Sequence, residues 1–175
     1  AVLRDVETQD AHDITMALEL GYVASPWCEL TVKGGFYTRE EDGSSPGVAP
    51  GARDPFGIPE NTTESKLDRT TLEARGLVDL ADHLQASIGL DVQFEEGKNN
   101  TVLVFRDNSI PNRFELSRET YSPFAEILYA PLDGLTFQGG VRVDEPEDFD
   151  TETSFHVGVA YAISSTNTTF KANWG

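Results

Sequence analysis

The chain has 175 residues, of which 38% are hydrophobic and 25% are charged, a composition typical of one folded domain rather than of a disordered segment. Its 30 acidic and 13 basic residues give a formal net charge of −17, which argues against nucleic acid and anionic membrane surfaces as partners. A single cysteine excludes an intramolecular disulfide, the histidines are too scattered for a cysteine–histidine zinc site, and no cofactor is expected.

The sequence contains no apolar run that approaches the roughly 20 residues of a transmembrane helix. This criterion does not detect membrane-spanning strands, because each strand needs only about ten alternating residues. The first residues, AVLRDVETQD, resemble neither a signal peptide nor an initiator methionine, so we expect a processed or cut N-terminus.

Eight stretches alternate apolar and polar residues, which is the pattern of strands with two different faces. They cover residues 12–23, 27–38, 66–80, 83–95, 114–130, 135–144, 153–163 and 167–174. An amphipathic helix competes only at 66–80, where the alternation and Gly76 favour a strand. The sequence predicts an all-β fold, an antiparallel up-and-down meander of about eight strands forming a single segment over residues 1–175.

Short and long connections alternate along the predicted meander. The short turns are predicted at Ala24–Pro26, Ala81–Asp82, Pro131–Gly134 and Ser164–Thr166, and the long polar loops at Arg39–Ser65, Glu96–Arg113 and Glu145–Glu152. Outer-membrane barrels show this asymmetry, with short periplasmic turns and longer extracellular loops. A soluble barrel with a ligand-binding mouth shows it as well, so the pattern leaves both possibilities open.

The two registers of these strands differ in polarity. One register is apolar, as in Leu84, Ala86, Ile88, Leu90, Val92 and Phe94, and aromatic residues lie near both ends of the strands. The opposite register is too charged for a dry core. The sequence therefore predicts that the apolar register faces lipid and the charged register faces a water-filled lumen. The candidate lumen-facing residues are Arg69, Glu73, Arg75, Asp91, Glu126, Arg142, His156 and Lys171.

Residues 119–175 also resemble a known family. The matching parts are Phe124-Ala125-Glu126, Leu135-Thr136, Gly139 to Asp144, and Val157 to Tyr161. This arrangement resembles the barrel of TonB-dependent outer-membrane receptors. The resemblance implies a bacterial outer-membrane location and the uptake of a scarce ligand, such as a siderophore–iron complex, haem or cobalamin. It implies a barrel of about 22 strands closed by a plug.

The resemblance also implies partners, namely outer-membrane lipid, a small-molecule ligand, and TonB through parts outside this chain. Neither a plug domain nor a TonB-box segment is recognisable here. The family's ligand-binding residues therefore have no counterparts that can be numbered in this sequence. We expect the chain to be a piece of a larger barrel with both of its ends on the long-loop side.

Few residues suggest a catalytic or metal-binding site. The sequence has no nucleophile elbow, Walker loop or metal-binding histidine pair, so we expect no enzyme. Ser154 and His156 share the polar register, where a polar wall is favoured over a lipase-like site. The acidic segment 144–152 has enough carboxylates for Ca²⁺ but lacks the spacing of a calcium loop, which favours a solvated loop.

One alternative architecture remains open. A closed, self-contained eight-stranded β-barrel would be either a small outer-membrane structural or adhesion protein or a soluble lipocalin-like binder. Closure requires hydrogen bonds between the strands near Leu18 and Ala172, whereas a barrel segment leaves both strands as open edges.

Overall fold

The computed structural model describes residues 7–52, 55, 57–105 and 108–175. Eight strands form one sheet, and each strand lies beside its sequence neighbours in the order β1 to β8. The strands are β1 (Thr8–Ser25), β2 (Cys28–Ser45), β3 (Glu60–Ala81), β4 (Leu84–Phe105), β5 (Asn108–Leu132), β6 (Leu135–Pro146), β7 (Glu152–Ile163) and β8 (Thr168–Trp174).

The sheet is open, because β1 and β8 are its two edges and are not hydrogen-bonded to each other. The predicted antiparallel meander of eight strands is therefore confirmed. The alternative of a closed eight-stranded barrel is wrong, since closure would require a β1–β8 ladder that the strand order lacks. In the final ladder, Ile163 of β7 pairs with Thr168 of β8, and Val157 pairs with Trp174.

Two predicted long loops are wrong in part, because about half of Arg39–Ser65 and nearly all of Glu96–Arg113 belong to strands. β2 continues to Ser45 and β3 already begins at Glu60, while β4 continues to Phe105 and β5 begins at Asn108. Residues 53, 54, 56 and 106–107, also predicted as loop, lie outside the described residues. A backbone ladder satisfies its amides and carbonyls whatever the side chains are, so a strand can continue where apolar alternation stops. Threonine favours such extensions, and Thr63 and Thr101 hydroxyls lie 3.2 Å apart.

The short turns overlap the predicted ones, at residues 26–27, 82–83, 133–134 and 164–167. Two of them contain a residue with positive φ, which is 81° at Gly134 and 55° at Asn167. Glycine and asparagine are the residues that tolerate this conformation best. A Cβ atom at Gly134 would also collide with the carbonyl oxygen of Ala162, so the turn requires glycine.

The chain divides into two compact units. The first unit contains Ala1–Met16, Phe36–Thr70 and Glu95–Ser117, and the second contains Ala17–Gly35, Thr71–Phe94 and Arg118–Gly175. Each unit is described by itself below.

The described residues contain no buried hydrophobic side chain, and the buried residues among them are Ser87 and Ser122. In the second unit the predicted apolar register is exposed, and its large side chains include Leu18, Leu20, Tyr22, Ile88, Leu90, Phe94, Ile127, Tyr129, Phe155, Val157, Tyr161 and Phe170. Large contiguous apolar surfaces are unfavourable in water, so this face requires an apolar environment. Over the described residues, no helix has the length and apolarity to cross a membrane.

Candidate functional site

The polar register of the second unit contains a cluster built around Glu126, which we call the Arg75 cluster (Arg75, Ser87, Glu126 and His156). Arg75 Nη2 donates a hydrogen bond to Glu126 Oε2 at 2.7 Å, and Ser87 Oγ donates to the same oxygen at 3.2 Å. His156 Nε2 lies 3.6 Å from the other carboxylate oxygen, Oε1. Glu126 therefore holds side chains from three other strands, β3, β4 and β7.

A glycine makes room for this cluster. Gly140 of β6 pairs with Glu126 on one side and with His156 on the other. A Cβ atom there would collide with the His156 ring and would lie 3.0 Å from Glu126 Cγ. The glycine lets the two side chains meet over the strand that separates them, because its own position above the sheet is empty.

A second glycine accommodates an aromatic ring on the same face. The Phe124 ring covers Gly89, where a Cβ atom would lie 2.7 Å from Phe124 Cε1 and equally close to the Ala74 carbonyl oxygen. The Arg75 guanidinium carbon lies 5.4 Å from the centre of the Phe124 ring, within cation–π distance. Phe124 thus orients the guanidinium that binds Glu126.

Next to this cluster is an open pocket of about 350 Å³. Its lining combines the cluster with Leu77, Gln85, Ala86, Ile127, Leu128, Gln138 and Gly139. The side chains of the two glutamines, the serine and the glutamate provide hydrogen-bond donors and acceptors, and the two leucines provide an apolar side. Such a lining suits a polar group that needs several hydrogen bonds. Gln85 is partly engaged, since its Nε2 donates to Asp79 at 2.8 Å.

A second cluster, the Arg142 cluster, contains Arg142, Asp91, Asp144 and Ser122. Arg142 donates from Nε to Asp144 Oδ1 at 2.7 Å and from Nη2 to Asp91 Oδ2 at 3.2 Å. Ser122, which is 1% exposed, donates its hydroxyl to the same Asp144 oxygen. One arginine therefore bridges two carboxylates and balances the charge of one of them, and the buried hydroxyl has a partner.

The remaining predicted residues lie elsewhere. Glu73 is 3.8 Å from Lys33, which is equally far from Glu19. Arg69 belongs to the first unit, where it contacts Glu95 at 2.6 Å. Lys171 is exposed on the edge strand β8, opposite Ala160 of β7. Three of the candidates meet in the Arg75 cluster, two meet in the Arg142 cluster, and Glu73 lines the same cleft as Asp91.

The first unit carries its own ion pairs. Arg39 binds Glu41 at 2.8 Å, and this hydrogen bond raises the pKa of Arg39 and lowers the pKa of Glu41. Lys66 binds Glu40 at 2.9 Å, which raises the pKa of Lys66. Arg39 and Glu41 are half-buried, whereas Lys66 and Glu40 are exposed.

Several contacting residues were missed by the sequence analysis as members of a site. Ser87, Ser122 and Asp144 complete the two clusters, and Phe124 and Gly89 position the arginine. The alternation of β4 could have identified some of them. Ser87 and Gly89 occupy every second position of this strand together with Asp91, so they lie on its polar register. Within the described residues, no group of three or more His, Cys, Asp or Glu side chains has the arrangement to hold a metal ion.

Comparisons with known proteins identify solved structures with a similar fold. No protein-family model matches the chain, and no curated protein matches it. The chain is similar to the copper transporter OprC, with a TM-score of 0.74 and 11% identity over 94% of this chain and 30% of OprC. It is also similar to the RagAB peptide transporter, with a TM-score of 0.65 and 15% identity over 91% of this chain and 20% of the other.

A third similar structure is BauA, the ferric preacinetobactin receptor from Acinetobacter baumannii, with a TM-score of 0.61 and 12% identity. That match covers 95% of this chain and 30% of BauA. The chain thus spans 20 to 30% of the length of these structures. At such low identities the likeness shows the fold, an open sheet that resembles a segment of an outer-membrane β-barrel.

Proposed function

We propose that the chain forms part of the wall of a TonB-dependent outer-membrane barrel that imports a scarce small ligand. One observation carries the proposal: the second unit exposes a continuous apolar register while ion pairs occupy the polar register, and the described residues bury no hydrophobic side chain. A soluble sheet would bury its apolar face in a core. A sheet between lipid and a wet lumen needs this arrangement.

In this proposal outer-membrane lipid covers the apolar register, and the spanning segments are those of the second unit. The Arg75 and Arg142 clusters face the lumen, as do Glu73 on β3 and Lys171 on β8, and Arg69 faces the ligand path in the first unit. Pairing neutralises most of these charges, which lowers their cost near lipid. The two open edge strands pair with further strands of the same barrel.

The ligand of the parent barrel is a small molecule, and TonB acts through parts outside this chain. The similar structures support a transport role rather than a catalytic one, since they are two transporters and a receptor. Their cargoes differ and include copper, peptide and ferric preacinetobactin, so they do not select one ligand. Siderophore–iron complexes, haem and cobalamin remain the proposed classes.

A spin-label experiment tests the assignment of faces. In a Cys28→Ser background, a label at Leu90→Cys reports on the apolar register and a label at Gln93→Cys on the polar register of β4. In bilayers, we expect the Leu90 label to collide more often with oxygen, which concentrates in lipid, and the Gln93 label with a water-soluble nickel chelate. Equal accessibility ratios at the two positions would contradict the proposal.

A further inference from the structure

The first unit contains a separate cleft of about 630 Å³, which we call the Phe114 cleft. Its lining residues are Glu40, Asp42, Glu64, Ser65, Lys66, Lys98, Asn99, Asn100, Arg113, Phe114 and Glu115. The volume is within the range of about 300–1,000 Å³ that is typical of small-molecule sites. None of these residues belongs to the Arg75 or Arg142 clusters.

Four of the seven charged residues that line the Phe114 cleft form two ion pairs. Lys66 lies 2.9 Å from Glu40, and Lys98 lies 3.2 Å from Glu115 and 2.5 Å from Glu96. These hydrogen bonds raise the pKa of both lysines, which favours their charged ammonium form. An anionic ligand would meet the carboxylates and a cationic ligand would meet the ammonium groups. A neutral ligand with adjacent hydroxyls can accept from a lysine and donate to its carboxylate partner at the same time.

Two further features of the cleft are unfavourable without a ligand. The Phe114 side chain is 60% exposed, although exposing an aromatic ring to water costs free energy. The side-chain oxygen of Asn100 is covered and has no hydrogen-bond partner among the described residues. Rotation of this amide toward the cleft would bring the oxygen to a ligand hydroxyl and remove the cost of an unpaired acceptor.

We propose that the Phe114 cleft binds a neutral, hydroxyl-rich saccharide. The sugar hydroxyls bridge the Lys66–Glu40 and Lys98–Glu115 pairs and donate to Asn100, while the Phe114 ring stacks on the C–H face of a sugar ring. Lipopolysaccharide sugars and free oligosaccharides share this chemistry. The site is independent of the transported ligand and of the assignment of lipid and lumen faces.

Binding to the full chain, measured by calorimetry with maltopentaose and with purified lipopolysaccharide, tests the site. We expect Phe114→Ala and Asn100→Leu each to weaken binding about tenfold. Phe149→Ala is the matched control, because Phe149 is 64% exposed in the second unit and outside the cleft. Saturation transfer from the aromatic ring protons of the unsubstituted chain to the sugar gives a second readout that does not depend on either variant folding.

Two outcomes support the proposal, and each identifies the source of the saccharide. If lipopolysaccharide binds more tightly and maltopentaose competes with it, the natural ligand is a membrane saccharide. If maltopentaose binds equally tightly or more tightly, the natural ligand is a free saccharide. Three outcomes overturn the proposal. The first is the absence of saturable binding, and the second is an equal effect of Phe114→Ala and Phe149→Ala. The third is lipopolysaccharide binding that high salt abolishes and maltopentaose does not compete, since that behaviour indicates phosphate recognition.

Discussion

Arg75 on β3 donates a hydrogen bond to Glu126 on β5 at 2.7 Å, across the intervening strand β4. Ser87, on that intervening strand, donates to the same oxygen, and Phe124 lies beneath the guanidinium. The pair therefore links three strands of the polar register rather than two. Because its geometry is fixed on several sides, it loses less side-chain freedom on forming than an ordinary exposed ion pair does.

The first prediction concerns the strength of this pair. A double-mutant cycle with Arg75→Ala and Glu126→Ala should give a coupling free energy of about 1 kcal/mol, the upper end for partly exposed pairs. The control cycle uses Lys33 and Glu19, which are 3.8 Å apart and more exposed, and should give about 0.3 kcal/mol or less. Denaturant unfolding in detergent or lipid measures both values. Equal coupling in the two cycles would argue against a fixed Arg75 cluster.

The second prediction concerns Gly140. Gly140→Ala should lower the free energy of unfolding by about 1–3 kcal/mol, because the new methyl group meets the His156 ring and the Glu126 side chain. Gly34→Ala is the matched control, since a Cβ atom at Gly34 has nothing within 4 Å, and its effect should stay within about 0.5 kcal/mol. His156→Ala should recover part of the loss at Gly140. A similar cost for both glycine substitutions would show that the collision at Gly140 does not set the effect.

The sequence predicted the fold well where one face is apolar. The strand around Leu90 alternates without interruption, and both its position and its exposed register are as expected. The alternation of apolar and polar residues predicted that this strand ends at residue 95, ten residues before the actual end of β4 at Phe105. Residues such as Asn99 and Thr101 carry no apolar alternation, and their strand is held by backbone pairing and by local polar contacts. Pairing with a neighbouring strand cannot be seen in the periodicity of one segment.

The sequence predicted the site less completely. It identified the charged members of the polar register, such as Arg75 and Glu126, because parity fixes the face of a side chain. It did not identify which charges meet, since Arg142 reaches Asp91 across a whole strand and the register between strands sets that contact. Nor did it show that Gly140 leaves the space in which Glu126 and His156 approach each other. Such contacts depend on strand register rather than on spacing along the chain.

The third prediction concerns the two faces of β4. Leu90→Arg should destabilise the chain in a bilayer by about 2–4 kcal/mol, because it places a charge against lipid. Gln93→Arg, three residues later on the polar register, should cost far less. Folding into lipid vesicles, followed by denaturant titration, measures both. Equal effects of the two substitutions would contradict the proposed lipid-facing register.

The fourth prediction concerns pH. The hydrogen bond from Arg39 lowers the pKa of Glu41, with Gln9 as a second donor. A carboxylate with a lowered folded-state pKa contributes stability above its unfolded pKa and loses that contribution as the pH falls through its folded pKa. Arg39→Met should therefore raise the pKa of Glu41 toward its ordinary value, as measured by NMR titration of labelled glutamate. Lys66→Met is the control and should leave the Glu41 titration unchanged, so an equal shift in both variants would contradict the assigned cause.

The fifth prediction concerns the open edges. In a Cys28→Ser background, Val159→Cys with Ala172→Cys should form an intramolecular disulfide on oxidation, because these residues are partners in the β7–β8 ladder. Leu18→Cys with Ala172→Cys should not form one, because β1 and β8 are opposite edges of the sheet. Gel mobility of the oxidised monomer distinguishes the two results. A monomeric Leu18–Ala172 crosslink as efficient as the control would mean that the edge strands meet within one chain, and the open edges would then be unavailable to further strands of a larger barrel.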